Sequence, residues 1–212
     1  MKMREVSPEF RGFFAAPMRG VGLIEVLIAL LVLSVGILGI IGMQITGKQT
    51  NNDAVQRTTA SQLAFDLIES MRANPTALKT YVDAGVIGAG NLAAPSGTSA
   101  CDSAPNACSA LDLVDADLYL WEQALIGQSE VRDGAATGGL VSPRACITGP
   151  GGPGMYELVL VWRGTQEQTP NDAALAAVCG GALNTTGLYD SAAPGTDNRH
   201  RRVLRISFYV AV

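Results

Sequence analysis

The feature that most constrains this chain is an apolar run, Val21–Ile45, close to the N terminus. At 1.5 Å per residue, a helix of about 25 residues is long enough to span the roughly 30 Å hydrocarbon core of a bilayer. Glu25 is the only ionisable residue in the run. A charge inside a membrane helix costs roughly 2.5–3.5 kcal/mol on insertion scales, so a carboxylate here needs a specific reason. The run predicts a transmembrane helix that carries one functional acid.

The charges that flank the run predict its orientation. Residues 1–20 contain two acidic residues and four basic ones, which are Lys2, Arg4, Arg11 and Arg19. After the run, the first charged residue is Lys48. Because positive residues are retained in the cytoplasm, the N terminus is expected inside and the residues beyond the run outside. The run ends in MQITGKQTNND, without the small-residue cleavage site of a secretory signal, so an ordinary signal peptide is not expected.

Composition and motifs argue against several function classes. The net charge is -4, and the only dense basic stretch, Arg199–Arg202, is interpreted as a solvated loop, so nucleic-acid binding is not expected. The G-x-S-x-G, H-E-x-x-H and P-loop spacings are missing, and His200 is the only histidine. The glycine-rich TGPGGPG at Thr148–Gly154 is interpreted as a turn before a strand. The sequence therefore predicts neither an enzyme nor a bound cofactor.

All cysteines follow the apolar run, at Cys101, Cys108, Cys146 and Cys179. An even number on one side of a membrane segment indicates disulfides in an oxidising compartment. A metal site is not expected, because the chain has no C-x-x-C pair and a single histidine. Four cysteines allow three connectivities. We favour Cys101–Cys108, which closes a small loop, and Cys146–Cys179, which ties a long glycine-rich insertion to a strand.

Helical periodicity continues beyond the apolar run. One stripe carries larger apolar residues with small ones beside it, namely Val55, Ala60, Leu63, Ala64, Leu67 and Met71. The pair Asn74-Pro75 predicts the end of this helix, because a residue before proline avoids the α region. Residues 76–110 lack periodicity and are interpreted as a loop. A short amphipathic helix follows, with a 3-4-3-4 spacing of Leu111, Val114, Leu118, Trp121 and Leu125.

The aspartates of this short helix are interpreted as solvated residues of its surface and first turns rather than as metal ligands; they are Asp112, Asp115 and Asp117. Three later segments predict an antiparallel sheet of about three or four strands packed on the distal half of the long helix. YELVLVW alternates, with one face formed by Tyr156, Leu158, Leu160 and Trp162. The C-terminal RRVLRISFYVAV alternates likewise, with an inward face of Leu204, Ile206, Phe208, Val210 and Val212. RACIT around Cys146 is a shorter candidate strand.

The segment RGVGLIEVLIALLVLSVGILG resembles the class III signal of type IV pilins, in which a basic leader and a glycine precede an apolar helix with glutamate in the fifth position. Against the usual G-F-T-L-I-E, this chain keeps Gly20, Leu23, Ile24 and Glu25 and differs at Val21 and Gly22. The resemblance implies that a prepilin peptidase cuts between Gly20 and Val21 and methylates the new amino group of Val21.

The resemblance also implies a role for Glu25 in assembly. In a filament of bundled helices, this carboxylate pairs with the positive N-terminal amine of a neighbouring subunit. Such an attraction is strong at low dielectric, where an unpaired charge is penalised. The alternative is that Glu25 reaches the cytoplasmic headgroups by snorkelling.

Further along, the D-x-x-x-W of Asp117–Trp121, the LVLVWRG strand and the closing aromatic-aliphatic strand resemble the PilV group of minor pilins. The resemblance implies an α+β, pilin-like fold with a long N-terminal helix on a small antiparallel sheet. Its parts are a leader at 1–20, a transmembrane and assembly helix at 21–45, the distal half of the helix at 46–75 and a periplasmic head at 76–212.

The function implied is that of a structural minor pilin that takes part in the initiation or assembly of type IV pili. Its partners are other minor and major pilins, the prepilin peptidase and the pilus assembly platform. It starts in the bacterial inner membrane, with a cytoplasmic N terminus, and is then moved into the filament. Two alternatives remain open from the sequence: a type II secretion pseudopilin, and a membrane-anchored periplasmic binding module that does not polymerise.

Overall fold

The computed structural model describes residues 22–90, 92–95, 101, 108–169, 188–189 and 198–211. By internal contacts the chain divides into two compact units, the first ending at Ile45 and the second beginning at Thr46. One helix, α1, covers Leu23–Ala73, and 51 residues are helical without a break. It ends immediately before Asn74-Pro75, where the sequence predicts its end, and Pro75 opens a 3₁₀ turn over Pro75–Ala77.

In the first unit, α1 buries none of its apolar side chains. Leucine, isoleucine and valine residues are exposed along the whole segment, and Leu23, for example, is 81% exposed. Within the described residues, α1 is the one helix long and apolar enough to cross a membrane. A helix that is apolar on all sides is stable only where lipid or other helices surround it.

In the second unit, α1 contributes one face to a core. Ala60, Ala64, Leu67, Ile68 and Met71 are buried, a 3-4 spacing that places them on one side of the helix. Two shorter helices follow, α2 over Leu78–Asp83 and α3 over Ala110–Leu125.

The short helix α3 begins at a capping box. The Ser109 hydroxyl oxygen accepts a hydrogen bond from the Asp112 N–H, and the Asp112 carboxylate accepts one from the Ser109 N–H. Since both groups satisfy backbone donors that a helix N terminus leaves free, the start of α3 is fixed locally. The Asn74 side-chain amide donates to the Ala110 carbonyl oxygen at 2.7 Å, which joins the end of α1 to the start of α3.

The sheet has three antiparallel strands in the order β3-β4-β5, which are Arg144–Thr148, Gly154–Arg163 and Arg201–Val210. Two very short strands, β1 (Val131–Arg132) and β2 (Ala135–Ala136), form a separate hairpin. The predicted inward face of β4 is confirmed, since Tyr156, Leu158, Leu160 and Trp162 are all buried. On β5, Phe208 and Val210 are buried and Leu204 and Ile206 are partly buried against the same core, whereas Val212 lies outside the described residues.

The face of the sheet that packs on α1 is called the inner face here. The core between them also includes Val114, Leu118, Trp121 and Leu125 of α3. The opposite, outer face carries a smaller buried cluster, in which Tyr189 covers Cys146, Val159 and Val161. This arrangement confirms the α+β class with a long N-terminal helix packed against a small antiparallel sheet.

Four expectations from the sequence are wrong. Val55 and Leu111 are exposed, because the helical period places Val55 away from the buried face of α1 and Leu111 at the margin of the buried face of α3. Residues 76–110 are not all loop, since they contain α2. The basic stretch at 199–202 is not a solvated loop: Arg201 is buried and the Arg202 side chain is only 10% exposed, because β5 begins there. Asp117 is not solvated either, because it is partly buried and accepts a hydrogen bond from the Tyr81 hydroxyl.

Candidate assembly site

The first turn of α1 presents the one carboxylate of the apolar segment. The N–H groups of Glu25 and Val26 donate to the Gly22 carbonyl oxygen at 2.9 and 3.3 Å, so the helix is already formed at Glu25. Glu25 is exposed, as are the adjacent Leu23 and Ile24. Among the described residues no basic group forms an ion pair with Glu25. The Glu25 carboxylate is therefore accessible on the surface of the first turn of α1.

The predicted cleavage and methylation site lies beside this turn. Gly20 and Val21 are outside the described residues, so these two assignments stay predictions. A carboxylate in the first turn is favoured by the helix dipole, and a cation placed near it in an apolar surrounding is attracted strongly.

A second set of polar contacts fixes the head on α1. The Trp121 indole N–H of α3 donates to the Leu63 carbonyl oxygen of α1 at 2.6 Å. One turn earlier on α3, the Asp117 carboxylate accepts from the Tyr81 hydroxyl of α2. Burial, with the hydrogen bond and negative charge of Asp117, raises the pKa of the Tyr81 phenol well above its usual value. The D-x-x-x-W pattern is therefore a structural element that holds α3 to α1 and α2.

Glu122, the residue after this tryptophan, is fully buried and organises a loop. Its Oε1 accepts from the N–H groups of Gly88 and Gly90 at 2.9 and 3.0 Å, and its Oε2 accepts from the Leu92 N–H at 2.9 Å. Three charge-assisted bonds to backbone donors compensate for burying the carboxylate. Glu122 therefore holds the loop after α2, together with the backbone bridge between Ile87 and Ala145 and the hydrogen bond from Arg144 to the Gly88 carbonyl oxygen.

Asp53 fastens the segment after β4 to the distal part of α1. Its carboxylate accepts from both the N–H and the hydroxyl of Thr165 at 2.8 Å, and it pairs with the Arg202 guanidinium at 2.8 Å. Burial raises the pKa of the Asp53 carboxyl, but the Thr165 hydrogen bonds and the Arg202 charge outweigh burial and hold the pKa below its usual value. Because both charges are largely buried and hydrogen-bonded, this pair is stronger than an exposed one.

Disulfide bonds occur among the cysteines of the head. Cys101 and Cys108 are joined by a disulfide. Cys146, buried in β3, is disulfide-bonded too. Its predicted partner Cys179 lies outside the described residues, so the pairing of Cys146 with Cys179 stays a prediction.

Sequence reasoning missed Glu122, Asp53 and Tyr189. A signal existed for Glu122, because it lies four residues after Leu118 and next to Trp121, on the apolar face of its helix. No local pattern marks the other two, whose partners are distant in sequence. Within the described residues, no group of three His, Cys, Asp or Glu side chains lies close enough to hold a metal ion.

Comparison with protein-family models found a match for part of the chain. The model of the family described as Type IV pilin Tt1218, or Tt1218-like, matches residues 42–119, from the middle of α1 to α3. No curated protein matches the chain, and no solved structure does. Over residues 42–119 the chain is therefore similar to this family of type IV pilins, and the match covers less than half of its length.

Proposed function

We propose that this chain is a minor pilin of the PilV group that takes part in the initiation or assembly of type IV pili. The role is structural rather than catalytic. The family match to residues 42–119 supports the pilin part of this proposal. The finer assignment to the PilV group comes from the resemblance of its N-terminal segment and its D-x-x-x-W and LVLVWRG segments.

The observation that carries the proposal is the exposed apolar surface of residues 23–45. Fully burying a leucine, isoleucine or valine side chain stabilises by about 1.5–3 kcal/mol, and this segment leaves all of its own exposed. A bilayer supplies that burial before assembly, and a bundle of like helices supplies it in a filament. The same surface therefore suits a protein that moves from the bacterial inner membrane into a pilus.

The proposed maturation removes residues 1–20 and methylates the amino group of Val21. The new positive amine is then four residues before Glu25 in the sequence, and in this proposal it pairs with the Glu25 carboxylate of a neighbour in the bundle. Pairing across subunits neutralises both charges where water is excluded. The proposed partners are the prepilin peptidase, the assembly platform and other major and minor pilins.

Replacement of Glu25 tests this role. In Glu25→Ala, membrane insertion should be unchanged, because removing a charge makes the segment more apolar. Incorporation into sheared filaments should fall at least about tenfold, since the loss of roughly 1.4 kcal/mol already corresponds to that factor. The measurement is the ratio of filament-bound to membrane-bound protein.

The matched control is Ser34→Ala in the same helix. The Ser34 hydroxyl donates to the Leu31 carbonyl oxygen of its own helix, so its loss removes a polar group that has no role between subunits in this account. Incorporation of the control should equal that of the native chain. If Glu25→Ala also enters filaments at the native ratio, the pairing of Glu25 with an amine is wrong.

A further inference from the structure

A cavity of about 500 Å³ lies on the head between α2, α3 and residues 92–95, and it is called the α2–α3 cavity here. Ligand pockets in proteins commonly occupy roughly 300–1,000 Å³. The side chains that line it include Thr80 and Asp83 of α2, Leu92 and Pro95 of the loop, and Asp115 and Leu118 of α3. Leu118 belongs to the buried core and Leu92 packs against that core, so the floor of the cavity is apolar. Asp83 and Asp115 are exposed, so the rim is acidic.

The three walls of the α2–α3 cavity are fixed to one another. The Tyr81 hydroxyl of α2 donates to the Asp117 carboxylate of α3, which joins the two helices. The Leu92 N–H donates to the Glu122 carboxylate of α3 at 2.9 Å, which joins the loop to the same helix. Because these bonds form the cavity in the free chain, a ligand would not have to order its walls, and the cost of binding is lower.

The charge around the cavity is negative. Residues 76–125 contain six acidic residues and one basic residue, Lys79, so this segment has a net charge of -5 in a chain of net charge -4. A concentration of one sign of charge attracts ligands of the opposite sign and repels those of the same sign. The occupant that suits this cavity therefore carries a positive charge.

The two carboxylates of the cavity differ in their partners. Asp83 pairs with Lys79 at 2.5 Å, but the Lys79 and Asp83 side chains are 73% and 58% exposed, and so exposed a pair contributes little to stability. Asp115 forms no ion pair with any residue that the structure describes. Asp115 is therefore the carboxylate that is available to a cation from another molecule.

The combination of an apolar floor and an acidic rim fits a lysine or arginine side chain. Such a side chain packs its methylene groups on apolar surface and keeps its charged end among polar groups. In this cavity the methylene groups would lie on Leu92 and Leu118, and the charged end would reach Asp115. We propose that the α2–α3 cavity binds a lysine or arginine side chain of a different protein and that Asp115 pairs with its charge.

A second copy of this chain is a poor source of that side chain. Each copy carries a net charge of -4, so two copies repel one another at long range. Most of the basic side chains that the structure describes already have acceptors. Ion pairs hold five of them, and carbonyl oxygens accept from two more; these are Arg72, Lys79, Arg199, Arg202 and Arg205, and Arg144 and Arg163.

Titration of the purified full-length chain in detergent tests the cavity itself. The ligand is N-acetyl-lysine methylamide, and amide chemical shifts report where it binds. The amides of Thr80, Leu92 and Leu118 should shift, and N-acetyl-norleucine methylamide, which lacks the ammonium group, should bind at least about threefold more weakly. Asp115→Asn should abolish this difference between the two ligands. The matched control is Asp66→Asn, which changes an exposed aspartate on α1 and should preserve the difference.

Photo-crosslinking in cells that naturally produce the chain tests the source of the side chain. A photoreactive phenylalanine analogue replaces Tyr119, which is half-buried one turn after Asp115 on α3. Mass spectrometry should identify a segment of a different protein that contains a lysine or arginine. Asp115→Arg should lower the yield at least about tenfold, because like charges at a contact are strongly unfavourable, and Asp66→Arg should not. Replacing the basic residue of the crosslinked segment with glutamate should restore the yield in the Asp115→Arg chain.

Equal binding of the two small ligands, or binding of neither, would overturn the proposal. If the lysine derivative binds but Tyr119 crosslinks to no protein or to a second copy, the cavity does not take a side chain of a different protein, which also overturns it. The proposal does not depend on the proposed function. A crosslink that Asp115→Arg abolishes, in a chain that retains residues 1–20 and is absent from filaments, would support the cavity while refuting the pilus role.

Discussion

Glu122→Gln tests whether one buried carboxylate holds the loop that follows α2. The substitution keeps the shape of the side chain and replaces one carboxylate oxygen with an NH₂ group. Glu122 is fully buried and accepts from three backbone N–H groups, at Gly88, Gly90 and Leu92. An amide oxygen can remain with the two glycine donors, but the NH₂ group then faces the Leu92 N–H, donor against donor.

The magnitude follows from these three bonds. Hydrogen bonds to a charged group contribute about 1.5–3 kcal/mol each, and a buried donor left without an acceptor costs about 1–3 kcal/mol. The substitution removes one hydrogen bond and weakens two. It also removes a buried charge, which recovers part of the desolvation free energy. The free energy of unfolding of the head should therefore fall by about 3 kcal/mol. For a protein of this size, this corresponds to a melting temperature lower by about 6–12 °C.

The assay is thermal unfolding of the full-length chain in detergent, followed by tryptophan fluorescence. Trp121 and Trp162 are the only tryptophans and both are buried in the second unit, so the signal reports the head. The control is Glu69→Gln, which removes an exposed ion pair with Arg72 and should cost less than about 0.5 kcal/mol. A melting temperature of Glu122→Gln within 1 °C of the native value would refute the role assigned to Glu122.

Two further predictions concern the head. Because the folded pKa of Asp53 is lowered, its pair with Arg202 stabilises fully above the unfolded pKa of about 3.9, and this contribution is lost as pH falls through the folded pKa. The stability difference between the native chain and Asp53→Asn should thus be constant above about pH 5 and shrink below pH 4; a difference that grows in acid would contradict this. Gly127 and Gly134 both have a positive φ, but only at Gly127 would a Cβ overlap another backbone, at the Gly138 carbonyl. Gly127→Ala should therefore cost about 1–3 kcal/mol more than Gly134→Ala in the same melting assay, and equal costs would contradict the close approach.

Much of the fold follows from local patterns in the sequence. The period of two in YELVLVW places four large side chains on one face, and the structure buries all four. RACIT is strand β3 from its first residue to its last. The end of α1 is set by Pro75, whose effect on the preceding residue is steric and independent of context. Each of these features is determined by residues that are close together in the sequence, so the sequence alone is sufficient to predict it.

The features that were missed depend on distant partners. From the sequence, Arg202 is predicted to lie in a solvated basic loop, because its partner Asp53 on α1 is distant in sequence. Asp117 is predicted to be a solvated helix residue, because the sequence does not show that the Tyr81 hydroxyl of α2 donates a hydrogen bond to it. Helix α2 is too short to show a full period, so packing rather than pattern decides it. Glu25, by contrast, stands out in the sequence as a single acid in an apolar run, and its role in assembly stays a prediction.

The most direct test of the central claim is mass spectrometry of filaments sheared from cells that express the full-length chain. The account predicts a peptide that begins at Val21 with a methylated amino group, which shows cleavage, methylation and residence in the filament together. Recovery of this chain only in membranes, with residues 1–20 still attached although the peptidase is active, would contradict it.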